Sequence, residues 1–114
     1  MGFRSPTVDE SRLLRELARI ARIEDPDSWV EELRVREMDD GGMGSLELET
    51  EGSHGFGRAG LLCRAAVQFA DADGVEVIAS LYSRADGEPF ELDVWKTDFS
   101  KLLRIPHHFR RVEE

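Results

Sequence analysis

A chain of 114 residues, 34% charged and 40% hydrophobic, has the composition of one soluble domain, with apolar material for one core but not for two. Six of its acids (Glu37, Asp39, Asp40, Glu47, Glu49, Glu51) fall in residues 37–57, a stretch without Lys or Arg that holds two thirds of the net charge of −9. This distribution argues against nucleic acid and anionic membrane as partners, because both demand clustered Lys and Arg, and it suits attraction to a basic protein.

No apolar run approaches the roughly 18 residues that cross a bilayer. The opening "MGFRSPTVDE" has no signal-peptide core, and the single cysteine, Cys63, excludes an internal disulfide framework. A cytoplasmic location is therefore expected.

In chain order, "SPTVDESRLLRELARIARI" predicts an amphipathic helix. Thr7 and Glu10 have capping-box spacing, Leu13, Leu14, Leu17, Ala18 and Ala21 form one apolar stripe, and Glu16 can pair with Arg19. "EDPDSWVEEL" predicts a shorter helix capped by Asp25, with Pro26 at its first position and Trp29, Val30 and Leu33 facing inward.

The period then changes to two. "VREM" and "GSLELET" flank the turn "DDGGMG" and predict a hairpin over residues 34–50. "EGSHGFGRAG" is a glycine-rich connection. Three strands follow in "LLCRAAVQFA", "GVEVIASLY" and "PFELDVW", separated by Ala-Asp-Gly at 72–74 and 85–87, where Asp-Gly supplies the positive φ of a tight turn. Their inward sets are Leu61, Cys63, Ala65, Val67, Phe69; Val75, Val77, Ala79, Leu81; and Phe90, Leu92, Val94. Glu91, Asp93 and Trp95 face outward, while Lys96 lies inward near the strand end.

The expected fold is α+β, with two N-terminal helices packed on one face of a five-stranded antiparallel meander sheet. Phe99, Leu102, Leu103 and Ile105 are expected to close one end of a domain spanning 1–106, and 107–114 to form a polar C-terminal tail.

Two stretches, "DDGGMGSLELE" and "DGVEVIASLYSRADGEPFELDVWKTDFSKLLRIP", resemble a family of small bacterial proteins that share a Gly-Gly-Met-Gly-Ser turn and an acidic-Leu-Asp-aromatic-Lys segment ahead of Asp-Phe-Ser. The resemblance covers about the C-terminal two thirds of the chain and implies no activity, so no catalytic residue is carried over. In size and charge alone such proteins are similar to the immunity proteins that neutralise bacterial toxins.

Candidate sites divide into chemistry and contact. Glu91 and Asp93 point the same way about 7 Å apart, but acid–base work needs one carboxyl desolvated, which a solvated sheet face does not provide. "DADG" at 71–74 begins like a calcium loop, yet its glycine comes at position 4 and valines stand where ligands belong, so a turn is expected. "GGMG" lacks the Lys-Ser/Thr and the following helix of a phosphate loop. His54, His107 and His108 lack metal-ligand spacing, and Cys63 reads as a small buried hydrophobe. Neither a catalytic residue, a metal nor a cofactor is assigned.

The remaining reading is a non-enzymatic protein-binding domain, of which an immunity-type protein is the most concrete form. Asp39, Asp40, Glu47, Glu49, Glu91 and Asp93 would steer a basic partner, and Met43, Tyr82 and Trp95 would supply contacts. A homodimer joined through Leu62, Ala66, Ile78, Tyr82 and Trp95, and an enzyme or small-molecule binder using the 51–60 connection, are the alternatives.

Overall fold

A computed structural model of the protein describes residues 2–49, 62–84 and 88–112. Helix α1 (Val8–Ile20) begins as its capping box requires: the Thr7 hydroxyl accepts from the Glu10 amide at 3.1 Å, and the Glu10 carboxylate accepts from the Thr7 amide at 2.9 Å. Arg4 clamps the same carboxylate with two bonds of 2.8 and 3.1 Å. Burial alone would raise the Glu10 pKa; the bonds from Arg4 and Thr7 outweigh it and hold the group below its ordinary value. Leu13, Leu14, Leu17 and Ala18 are buried, and the outer pair Glu16–Arg19 closes at 3.2 Å.

Helix α2 (Pro26–Glu32) is capped by Asp25 and buries Val30. Leu33 is also buried, and Trp29 packs against the core while half-exposed.

Six strands follow: β1 (Val35–Glu37), β2 (Leu46–Leu48), β3 (Leu62–Ala70), β4 (Glu76–Ser83), β5 (Pro89–Lys96) and β6 (Arg110–Arg111). All neighbours are antiparallel, in the order β1-β2-β5-β4-β3-β6. The α+β class, the two helices and the antiparallel sheet agree with expectation; the five-stranded meander does not. Only β3-β4-β5 is a meander. β2 pairs with β5, so the glycine-rich connection joins strands three places apart, roughly 14 Å across the sheet.

The sixth strand comes from the segment expected to be a loose tail. Arg110 and Arg111 pair with Gln68 and Val67, the Val112 amide donates to the Ala66 carbonyl, and Phe109 meets Phe69 edge-on at 5.7 Å. α1 lies against β3 and β4 on one face of the sheet and α2 packs on α1, with Val67, Val77, Ala79, Leu81, Leu92 and Val94 completing the core. Among the described residues no helix is long and apolar enough to cross a membrane.

Two inward assignments fail for local reasons. A β-bulge between Cys63 and Ala65 shifts the register, so Cys63 is exposed while Ala65, Val67 and Phe69 keep the inward face. Phe99 and Leu103 are exposed, and only Leu102 and Ile105 of their group pack on the core. The second Ala-Asp-Gly, at 85–87, and His54 lie outside the described residues.

Candidate functional site

The end of the sheet where β5 finishes gathers the motifs of three separate segments. Asp40 organises the glycine turn: one carboxylate oxygen accepts from the Gly42 and Met43 amides at 3.2 and 3.1 Å, the other from Ser45 at 2.9 Å. The Ser45 hydroxyl then accepts from the Val94 amide at 2.8 Å and donates to the Val94 carbonyl at 3.3 Å, joining the turn to β5. On its other side the Gly42 carbonyl accepts from the Leu102 amide at 3.0 Å. Gly44 has φ 102°, and a Cβ there would sit 2.9 Å from Leu102 Cδ2.

At the same end of β5 lies Lys96, with 0% of its surface exposed. Its ammonium donates to Asp73 Oδ2 at 2.7 Å and to the Lys101 carbonyl at 3.0 Å, and it meets Asp71 Oδ2 at 2.9 Å. Asp71, also buried, accepts from the Ala72, Leu103 and Arg104 amides at 2.6, 2.8 and 2.9 Å. The acids that begin like a calcium loop thus surround the chain's own cation. Burial opposes the charge on both groups, but the hydrogen bonds win. Asp71 is held below its ordinary pKa by the Leu103 amide, Lys96 and the other two amides, and Lys96 is held above its own by Asp73 and Asp71. A protonated lysine with filled donors is a tie between the 71–74 turn and the 101–104 segment, not a nucleophile or base.

The opposite side of the same strand is different. Trp95 is 41% exposed and lies 6.3 Å, centroid to centroid, from Phe99, which is 69% exposed. Phe99 stands at φ 64°, a left-handed conformation that costs a bulky side chain roughly 1–2 kcal/mol. The turn is fixed by the Phe99 amide, which donates to the Lys96 carbonyl at 2.8 Å. Beside it the Asp98 carboxylate accepts from the Ser100 hydroxyl and amide, which hold its pKa below the ordinary value. Ile78 faces Trp95 across the ladder, and Asp93 precedes Trp95 by two on the same face.

The expected contact residues are scattered by this geometry. Asp39 is exposed, but Asp40 is occupied by the turn amides, and Met43 is half-buried beside them. Arg36 bonds Glu47 at 2.8 Å, and Arg34 stands 3.9 Å from Glu49, so neither acid is a free charge. Glu91 is only 2% exposed, which corrects its placement as an exposed steering acid. It sits in the interior of the sheet, flanked across the ladder by Glu47 and half-buried Tyr82. Asp93, half-buried, and Trp95 remain together on the outer face. From the sequence Phe99 is expected to close one end of the core, not to make a contact, and Asp98 is not singled out; the run Trp-Lys-Thr-Asp-Phe carries both aromatics, but only the left-handed turn brings their rings together.

A family described as "Domain of unknown function (DUF6984)" matches residues 3–106, nearly the whole chain. The chain belongs to the DUF6984 family. The two stretches that carried the resemblance prove to be in mutual contact, the glycine turn against Val94 and Leu102, so in this DUF6984 domain they are parts of one structural knot. No curated protein and no solved structure matches the chain. Among the described residues, no three His, Cys, Asp or Glu side chains are grouped so as to hold a metal ion.

Proposed function

We propose that this DUF6984 domain is a non-enzymatic protein-binding module that takes a basic partner, with Trp95 and Phe99 as its anchor. The observation that carries this reading is the exposed aromatic pair, one ring of which is held in an unfavourable backbone conformation without being buried. Strain that gains no core packing fits a side chain presented for contact. Asp93 and Asp98 flank the pair, and two aromatic faces beside carboxylates suit an arginine-bearing surface through cation–π contact and charge. Binding of an immunity type, in which a small acidic protein covers a basic toxin, is one form of this function.

The test is affinity capture from the native host's lysate at low and moderate salt. Wild type, Trp95→Ala/Phe99→Ala and Asp93→Asn/Asp98→Asn would serve as baits. The expected result is a basic protein retained by wild type, lost from the aromatic variant at both salts, and lost from the acidic variant first at moderate salt. Equal retention by all three baits, or a partner that is itself acidic, would overturn the reading.

A further inference from the structure

A second surface of the protein has the opposite character. Arg12, Arg15 and Arg19 recur at helical spacing on α1, and with Glu16 of the same helix and His107, His108 and Phe109 of the returning C-terminal segment they line a cleft of about 280 Å³. The cleft is preformed, because Arg12 bonds the Pro106 and Ile105 carbonyls at 3.1 and 2.8 Å and so fixes that segment against the helix.

Each arginine also meets one acid: Arg12 meets Asp9 at 3.0 Å, Arg15 meets Asp27 at 2.7 Å and Arg19 meets Glu16 at 3.2 Å. These pairs leave donors over. Arg15 has one ionic contact, at an Nε that completes no hydrogen bond, and Arg19 one, at a terminal nitrogen, while a guanidinium carries five N–H groups. Asp9 and Asp27 are largely exposed, so their pairs are solvent-screened and yield little resistance to a competing anion.

We propose that this cleft is a binding site for a small phosphomonoester. The terminal nitrogens of Arg15 and Arg19 would hold the phosphoryl oxygens, and His107 and His108 would close the opposite wall. Guanidinium forks match the geometry of a phosphoryl group, and the Phe109 ring offers an apolar surface for the organic part. The site is independent of the aromatic pair on the outer face of the sheet.

The experiment is an amide and imidazole NMR titration of the whole protein with inorganic phosphate and with phenyl phosphate, at fixed ionic strength set by sodium chloride. Arg15→Gln/Arg19→Gln and His107→Gln/His108→Gln are the variants, and Arg12 is left intact because it holds the fold. Saturable shifts confined to residues 12–19 and 105–109, weakened about tenfold or more in each variant, are expected. Tighter binding of phenyl phosphate would assign the site to organic phosphates, and equal binding to the phosphoryl group itself. Absence of saturation by about 50 mM of either anion, shifts centred elsewhere, or wild-type binding by the arginine variant would overturn the proposal. Should the arginine variant lose structure, the exposed histidine pair gives the same decision.

Discussion

Trp95 and Lys96 are consecutive residues of β5, and each stands where the other's chemistry would belong. The tryptophan is open to solvent on the outer face, while the lysine is wholly enclosed on the inner one. The alternation of a strand sends neighbours to opposite faces, so one of two adjacent side chains had to enter the core side. The inner end of β5 accommodates the cation because Asp71, Asp73 and the Lys101 carbonyl arrive there from two other segments. The outer end accommodates the aromatic only by pairing it with Phe99, still exposed. A buried charge with every donor filled reads as architecture, whereas an exposed ring on a strained turn reads as contact. Sequence hydropathy alone would assign the two roles the other way round.

The largest effect should come from the inner side. Asp71→Ala removes the carboxylate between Lys96 and three backbone amides, leaving the buried cation with one partner fewer and three part-buried N–H groups without theirs, at a cost of about 3 kcal/mol. A urea midpoint shifted correspondingly would show it. The pH dependence has a definite sign. Asp71 is held below its unfolded value, so its contribution is present above about pH 4 and is lost as pH falls through the native pKa. Lys96 is held above its unfolded value, so its contribution is present below about pH 10.4 and is lost as pH rises through the native pKa. Stability should be level between these limits, and the acid limb should flatten in Asp71→Ala. An unchanged acid limb would move that loss to another paired carboxylate, with Glu10 the first candidate.

Next in size is the glycine turn that backs this end of β5. Gly44→Ala meets both a φ of 102° and the Leu102 methyl at 2.9 Å, and should cost about 1–3 kcal/mol. Gly41, at φ 77° with nothing near its Cβ position, isolates the backbone part, about 1 kcal/mol on substitution by alanine. Thermal melts of the two variants separate conformation from packing. Equal losses would mean that Leu102 yields freely and that the contact between the two family stretches is loose.

What could be read from the sequence follows the reach of each signal. The Thr7–Glu10 box, the Leu13/Leu14/Leu17 stripe and the alternation in β3, β4 and β5 are local patterns, and each formed its element. Pairing across distance was not legible. The glycine-rich connection says that the chain turns, not that β2 will lie beside β5, and Arg110–Arg111 show no apolar alternation because β6 joins the edge through its backbone. The bulge that exposes Cys63 has no sequence mark, and Glu91 is buried by its neighbours in the sheet rather than by its own polarity. For the site, Trp95 and Asp93 were visible and Phe99 was not, since nothing in Asp-Phe-Ser announces a left-handed phenylalanine.

The smallest effect separates strain from support. Phe99→Asn places at φ 64° a residue that tolerates the left-handed region far better, and it gives up a side chain already 69% exposed. If the ring serves contact rather than folding, the variant gains about 0.5–1 kcal/mol while losing the captured partner. A loss of more than about 0.5 kcal/mol would show that the Trp95–Phe99 contact holds the turn together, and the strain would then have a structural return. Opposite signs for stability and binding would show that the strain at Phe99 outweighs whatever packing its ring contributes, so that the ring is kept for contact at a net cost to the fold.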